Sequence, residues 1–519
     1  MPRWFNTAGP CRADIHYMLP PTTRLPQLVK LIEQENYFVI YAPRQTGKTT
    51  AVLSLAQQLT DGGRYTAVMV SVEVGSAFNQ DPNKAELAIL DAWWDAATVW
   101  LPDPLHPPSL ADLADAESGR RIGHALSAWA QVSPRPLVVF IDEIDSLQDD
   151  NLISVLRQLR DGYPRRPKAF PQSLVLIGLR DVRDYKVASG GSQRLNTSSP
   201  FNIKVKSLTL RNFTPAEVAE LYAQHTSDTG QVFTPEALDH AFYLSQGQPW
   251  LVNALARQVV ETIVPDPAEV ITLEHFEQAK EILIQRQDTH LDSLAERLRE
   301  PRVRAIIEPM LAGESMGDIP ADDRRFVIDL GLVTRHPDGG MTIANPIYQE
   351  VIPRVLTSGT QDTLPMIRPT WLTPAGQLDR ERLLQAFLEF WRQHGQPLLK
   401  SVHYHEIAPH IVLMAFLHRV VNGGGTLDRE YAIGSGRIDL CLRYGEVILG
   451  IELKVWRDGE KDPLAKGLQQ LDTYLAGLGL ESGWLVIFDQ RSGLPPIEER
   501  TTTESATTAS GRAVVVIRG

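Results

Sequence analysis

A chain of 519 residues, 43% hydrophobic, 22% charged and 7% aromatic, is long enough for about three or four domains and apolar enough to give each a core. That excludes a single small module and wholesale disorder. The net charge of −12 argues against a surface coated in basic residues for indiscriminate nucleic-acid or membrane binding, without excluding a local basic groove. The two cysteines, Cys11 and Cys441, stand far apart and in no CxxC or Cys/His spacing, so neither a disulfide scaffold nor a zinc finger is expected, and a reducing cytoplasm fits. The opening MPRWFNTAGPC lacks the apolar stretch of a signal peptide, and no run reaches the about 18 apolar residues of a membrane span, so no membrane partner is expected.

In chain order, Phe38–Tyr41, Ala67–Val70, Leu137–Ile141 and Leu174–Ile177 are short apolar runs separated by helical stretches, the pattern of buried parallel strands in a doubly wound α/β domain over residues 1–210. Capped helices follow. Thr214-Pro215-Ala216-Glu217 is a capping box with proline at the first helical position, and Thr234-Pro235 repeats the start, predicting a helical lid over 211–288. Residues 289–356 combine helices with a hairpin, Leu332–Arg335 and Met341–Ile343 joined through Pro337-Asp338-Gly339-Gly340, which suggests a winged helix. A Thr/Pro/Gly-rich stretch, 357–375, reads as a linker.

A second α/β domain is expected over 376–519. It has helices at Arg382–Gln393 and Ala408–Val421, strands at Ile438–Leu442 and Val447–Val455, a helix at Leu464–Leu475, and strands at Trp484–Phe488 and Ala513–Ile517. Thr501–Ser510 reads as a mobile loop.

The first chemical signal is Ala42-Pro43-Arg44-Gln45-Thr46-Gly47-Lys48-Thr49, which follows a strand and opens a helix as a P-loop must. Loop amides and the helix N-terminus would cradle phosphates, Lys48 would reach the β/γ-phosphates, the Thr49 hydroxyl would ligate Mg²⁺, and Thr50 would support the α-phosphate side. The usual first glycine is Ala42 here. The partner motif is present as Leu137–Ile141 ending in Asp142 and Glu143, one carboxylate for the Mg²⁺ water shell and one to polarise the attacking water.

These residues resemble the AAA-like P-loop ATPases, and more narrowly the STAND and archaeal-type ATPases close to origin-recognition proteins. The resemblance implies ATP as ligand and Arg180, after the strand Leu174–Gly178, as a γ-phosphate sensor, although a helix-starting surface arginine fits that position equally. It likewise implies that Pro249 of Gly247-Gln248-Pro249 packs near the nucleotide, where ordinary helix capping explains the residues as well. His16–Pro20 lies where related ATPases contact adenine, but an apolar strap on the core is the commoner use of such a segment. No arginine finger is identifiable. A homo-oligomer that supplies one therefore stays open.

The second signal lies in Gly434-Ser435-Gly436-Arg437-Ile438-Asp439 and Gly450-Ile451-Glu452-Leu453-Lys454. With a period of two, Val447, Leu449, Ile451, Leu453 and Val455 share one face and Glu452 and Lys454 the other. Carboxylates are the hard oxygen ligands that Mg²⁺ (or Mn²⁺) takes, and an adjacent lysine can orient or deprotonate water, which is phosphodiester-hydrolysis chemistry. Gln470 and Tyr474, four apart on the next helix, can face the same site.

This set resembles the PD-(D/E)XK nucleases. By residue, the resemblance implies Asp439 and Glu452 on metal, Lys454 on the catalytic water, and Gln470 and Tyr474 as positioning groups. Glu406 could match a further acidic position or be an ordinary helix N-terminal charge. A hairpin salt bridge is the plainer reading of Glu452 and Lys454. His403, His405 and His410 read as solvated or capping side chains, and Trp93, Trp94 and Trp100 as core and interface aromatics.

The expectation for the whole chain is an ATP- and Mg²⁺-binding ATPase whose lid and winged helix report nucleotide state to a C-terminal nuclease that cuts DNA, RNA not being excluded. A protein trigger is possible. Resemblance to fused ATPase–nuclease proteins implies prokaryotic defence. The alternative is a nucleotide-switched assembly protein whose nuclease fold is a silent nucleic-acid clamp; a translocating motor lacks a helicase motif series.

Overall fold

The computed structural model describes residues 3–114, 116–179, 203–286, 291, 296–312, 319–335, 339–363, 369–401, 408–421, 425–431 and 438–519. The chain forms two compact units, one of residues 1–286 with 325–346, the other of 287–324 with 347–519. The stretch expected to be a winged helix is therefore divided: its hairpin, β6 (Val333–Arg335) against β7 (Met341–Ile343), forms as expected and belongs to the first unit.

In the first unit the strands β1 (Tyr37–Tyr41), β2 (Thr66–Ser71), β3 (Leu137–Asp142), β4 (Ser173–Gly178) and β5 (Lys206–Thr209) make one sheet in the order β2-β3-β4-β1-β5, and every neighbouring pair is parallel. The apolar runs become strands because both sheet faces are covered, so no face tolerates polar alternation. Phe38, Ile40, Phe140, Val175 and Ile177 point into one core, and Tyr37, Val39, Val139, Ile141 and Leu176 into the other. β5 is a strand that periodicity did not announce, because an edge strand reading Lys-Ser-Leu-Thr buries only Leu208. Trp93 is in the core and Trp94 packs against it, while Trp100 is 60% exposed at the end of the helix Pro82–Trp100.

The helices Pro215–Thr229, Pro235–Ser245 and Pro249–Gln258, expected to form a lid, start at the Thr-Pro and Gln-Pro signals. Thr214 accepts from the Glu217 amide, while the Glu217 carboxylate accepts from the Thr214 amide and from both terminal nitrogens of Arg211.

In the second unit β8 (Gly425–Tyr431), β9 (Ile438–Tyr444), β10 (Val447–Trp456), β11 (Ser482–Asp489), β12 (Thr502–Thr507) and β13 (Ala513–Arg518) form a mixed sheet in the order β12-β13-β11-β10-β9-β8. β8, β9 and β10 are an antiparallel meander, and β11 returns parallel to β10 after the helix Leu464–Leu478. Leu471 and Leu475 of that helix pack on Leu485 and Ile487. The opposite sheet face meets Trp391, whose ring lies 4.8 Å from that of Phe488, on the helix Arg380–Ser401.

Two expectations fail here. Residues 502–507, read as a loop, are strand β12, paired antiparallel along β13. Thr-Thr-Glu-Ser-Ala-Thr suits an exposed edge strand but carries no apolar alternation. The linker's first residues continue the helix Pro346–Thr363, carried by Ile347, Val351 and Ile352 at helical spacing.

Arg211 and the Thr214 amide hold the Glu217 carboxyl at about 2, below its ordinary 4.5, so the stabilisation is complete above pH 4.5 and is lost as pH falls through about 2. Glu217→Gln is expected to cost about 1 kcal/mol at neutral pH, the weight of a cap, and to flatten that acid limb in melting curves; an unchanged limb would contradict it.

Candidate functional site

β1 ends at Tyr41 and the helix Lys48–Asp61 begins seven residues later, so 42–47 must turn sharply at the carboxyl edge of a parallel sheet. Gln45 (φ 57°) and Gly47 (φ 84°) take the left-handed backbone that aims successive amides inward. Thr46 Oγ1 donates to the Pro43 carbonyl at 2.9 Å, and Lys48 Nζ donates to the carbonyls of Ala42 and Pro43, each at 2.8 Å. Burial lowers the Lys48 ammonium below its ordinary range despite Asp142, Asp145 and Glu143 nearby.

Thr49 Oγ1 donates to Asp142 Oδ2 at 2.9 Å, joining the P-loop helix to the end of β3 across the intervening β4. Asp142 Oδ1 accepts from the Glu143 amide at 2.9 Å, and burial raises the Asp142 carboxyl. Glu143 stands at φ 57°, a costly conformation for a residue with a Cβ, at the end of a strand buried throughout. Burial first, then Asp142, Asp145 and Glu73, raise its carboxyl above the ordinary carboxylate range. Asp145 Oδ1 accepts from the Leu179 amide at 3.1 Å, tying β3 to the end of β4.

Arg44, Gln45, Gly47, Lys48, Thr49, Thr50, Asp142, Glu143 and Pro249 line one cavity of about 480 Å³. Arg180 lies outside the described residues. Sequence reasoning missed two parts of the wall. His16–Pro20, read as an apolar strap on the core in preference to an adenine contact, buries Tyr17 and Leu19 and holds Met18 to Gln224, and the lining comes instead from Asn6, Thr7 and Gly9–Cys11. The strap Asn6–Cys11 is pinned by the Cys11 amide donating to Thr50 Oγ1 at 3.0 Å and by Trp250 Nε1 donating to the Thr7 carbonyl at 2.9 Å. These bonds are backbone-directed, so no side-chain pattern advertises them. Trp250 and Asn253 also line the cavity, one and four residues beyond Pro249 on the same helix.

Residues 38–179 match the family described as ATPase family associated with various cellular activities (AAA). They form an AAA-family ATPase domain. Solved structures similar to the chain include a Walker-type ATPase of Pyrococcus abyssi (12% identity, TM-score 0.48, 67% of this chain and 99% of that one). Others are the ORC2 protein of Aeropyrum pernix (15%, 0.37, 68% and 96%) and the RuvB Holliday junction branch migration motor of Thermotoga maritima (16%, 0.33, 64% and 93%). No curated protein matches the chain. AAA ATPases bind ATP, usually with Mg²⁺, and the AAA domain here supports ATP binding. No helix among the described residues is long and apolar enough to cross a membrane.

In the second unit Glu452 is fully buried on β10 and its Oε1 is ion-paired with Lys454 Nζ, which also donates to the Leu453 carbonyl at 3.1 Å. Gly450, two residues earlier on that face, sits against the Tyr474 ring, 3.1 Å from where a Cβ would stand. The helix bearing Gln470 and Tyr474 thus covers the face of Glu452 and Lys454, and Glu452 Oε2, Gln470 Oε1 and Tyr474 Oη are all shielded from solvent. For Asp439 the backbone is described: it pairs with Glu430 on β8, and the β9–β10 register Leu440↔Ile451, carried one residue on, brings it level with Glu452. Among the described residues no group of three or more His, Cys, Asp or Glu could hold a metal. His410, expected to be solvated or capping, is buried, its ring 6.0 Å from that of Phe488 and so on the opposite sheet face from Glu452. Glu406, His403 and His405 lie outside the described residues.

For the AAA domain, Lys48→Ala is expected to lower ATP turnover by about a hundredfold or more. In wild type, turnover should fall with acidification beginning above pH 4.5, because the raised Glu143 carboxyl takes up its proton early. Glu143→Gln should retain ATP affinity and lose hydrolysis; equal turnover would remove Glu143 from the chemistry.

Proposed function

We propose that this chain is a nucleotide-controlled nuclease, in which ATP in the AAA domain governs metal-dependent cleavage of DNA phosphodiesters by the C-terminal unit. The observation that carries the nuclease half is a carboxylate, Glu452, at no solvent exposure in an otherwise apolar strand, with Lys454 beside it. Burying such a pair costs several kcal/mol per ion before attraction repays it, and an apolar pair would fold as well, so a pair kept under a helix bearing Gln470 and Tyr474 favours chemistry over stability. The surface salt bridge that was the plainer reading does not suit a carboxylate with no exposure.

In the ATPase half, Thr49 and Asp142 offer a hydroxyl and a carboxylate 2.9 Å apart, which is a donor set suited to Mg²⁺. The ion would neutralise phosphate charge. Loop amides and Lys48 bind the phosphates, Asp142 holds the Thr49 hydroxyl in place, and Glu143 takes a proton from the attacking water. In the C-terminal unit the oxygens of Glu452, with Asp439 level with it in register, suit a divalent cation by the chemistry of the set. Such an ion would supply Lewis acidity at the phosphate. Lys454 orients the water, and Gln470 and Tyr474 position the substrate or the lysine.

Control has a physical route to start from. Gly331 sits so close to the P-loop that a Cβ there would stand 2.7 Å from Pro43 Cγ. Residues 325–346, which contain it, are joined at both ends to segments of the second unit. A loop that moves with its nucleotide therefore pushes on a segment covalently continuous with the nuclease. Resemblance of the two motif sets to fused ATPase–nuclease proteins supports a role in prokaryotic defence.

The test is cleavage of plasmid, single-stranded DNA and RNA with Mg²⁺ or Mn²⁺, with and without ATP. Wild type is expected to cut DNA, and Lys454→Ala and Asp439→Ala to lose about a hundredfold or more. Lys48→Ala should change the rate with the nuclease residues intact. DNA bound but uncut under every condition would replace the nuclease with a silent clamp, and identical rates with and without saturating ATP would sink the control.

A further inference from the structure

Behind the phosphate-binding loop, away from the cavity lining, lies a buried cation to which the ATPase chemistry assigns no task. Arg24 is 9% exposed and precedes β1 by thirteen residues. Its Nη1 donates to the Thr46 carbonyl at 2.9 Å and to the Arg211 carbonyl at 3.0 Å. Its guanidinium carbon lies 4.8 Å from the centre of the Phe213 ring, and Nη2 stands 3.0 Å from where a Cβ on Gly47 would be. Burial lowers the group to about 10, so it stays charged at neutral pH.

Both carbonyls belong to segments that matter. Thr46 is inside the P-loop, next to Gly47, and Arg211 begins the passage from the sheet to the lid. Phe213, under the guanidinium, donates its amide to the Gly247 carbonyl at 2.8 Å. The approach there is so close that a Cβ on Gly47's lid counterpart, Gly247 (φ 69°), would stand 2.0 Å from the Phe213 oxygen. Gly247 leads through Gln248, whose side chain caps the Leu251 amide at 2.6 Å, into the helix that puts Pro249, Trp250 and Asn253 on the cavity. The path therefore leaves the cavity through the P-loop and returns to it through the lid.

We propose that Arg24 is a positioning residue that makes the lid follow the P-loop, by holding the Thr46 carbonyl, the Arg211 carbonyl and the Phe213 ring on one guanidinium. A loop that tightens around phosphates shifts the Thr46 carbonyl. Nη1, which holds both carbonyls, transmits that shift to Arg211, the guanidinium plane transmits it to Phe213, and the Phe213–Gly247 contact passes it to the lid helix. Lysine can donate to both carbonyls but has no guanidinium plane to lie on the Phe213 ring, so it keeps the loop contact and loses the ring contact. The inference rests on ATP occupying the cavity.

The experiment uses the full chain and compares wild type with Arg24→Met, Arg24→Lys and Phe213→Leu. It reads ATP affinity, the melting point without nucleotide, and amide exchange in residues 249–258 with and without saturating ATP. Arg24→Met is expected to bind ATP about tenfold more weakly, as loss of charge-assisted bonds implies. It should also lose the ATP-induced protection of the lid helix, and Arg24→Lys should recover affinity without recovering that protection. Phe213→Leu, which leaves the cation and both carbonyls, should keep affinity within about twofold and still lose protection. Protection retained at saturating ATP in Arg24→Met or Phe213→Leu, with a wild-type melting point, overturns the inference, however much affinity changes; if Arg24→Met does not fold, Phe213→Leu decides. Wild type that binds no ATP overturns the assignment of the cavity, and this inference with it, as a distinct result.

Discussion

The bond from Thr49 Oγ1 to Asp142 Oδ2 brings together two pieces of chain ninety-three residues apart, and much of the AAA domain can be understood as what that contact requires. A hydroxyl on the first turn of a helix and a carboxylate at the end of a strand meet only if β1 and β3 run parallel with one strand between them. A parallel sheet buried on both faces makes those ends rigid, and it leaves the polar ends of its strands with no partners except loops and ligands. The carboxylates of Asp142, Glu143 and Asp145 therefore crowd the same edge as Lys48, and burial raises the first two and lowers the lysine.

The second unit poses the opposite problem. Its sheet is mixed, its edges are polar, and the charge pair of Glu452 and Lys454 is hidden. Glu452 and Lys454 owe their place to the parity of β10: the odd residues Leu449, Ile451 and Leu453 occupy one face, so the even ones must face the helix Leu464–Leu478. Gly450 completes the arrangement by leaving room for the Tyr474 ring and Leu475. A larger residue there would lift the helix away from the pair it covers. Two distinct polar sites thus arise from the same geometric fact, that strands in a covered sheet can show charge only at an end or on one parity.

How the segments around the nucleotide cavity are tied together illustrates a different principle. Several of the hydrogen bonds there end on backbone groups: the Thr7 carbonyl, the Cys11 amide, the Gly247 carbonyl and the Thr46 carbonyl. Trp250, Thr50, the Phe213 amide and Arg24 respectively reach them. Such contacts tolerate little variation in chain path, which is why Gly247 must approach Phe213 so closely.

What was legible in the sequence follows from locality. The strands of the AAA domain, the P-loop, the carboxylate pair after β3, the capping box at Thr214 and the period-two faces of β10 are each carried by a few adjacent residues, and each stands in the structure where the pattern put it. What was not legible depends on pairing between distant segments. β5 and β12 are edge strands that a neighbour's hydrogen bonds create and no apolar alternation marks. The strap Asn6–Cys11, the burial of His410, and the place of Arg24 behind the P-loop follow from how helices and loops settle on the sheets. The sequence by itself determined which residues could do chemistry, because spacing along a strand or helix dictates which side chains share a face. Only the tertiary structure decided which of them meet and which are shut from water, because burial and long-range hydrogen bonds belong to the assembled layers and to no single segment.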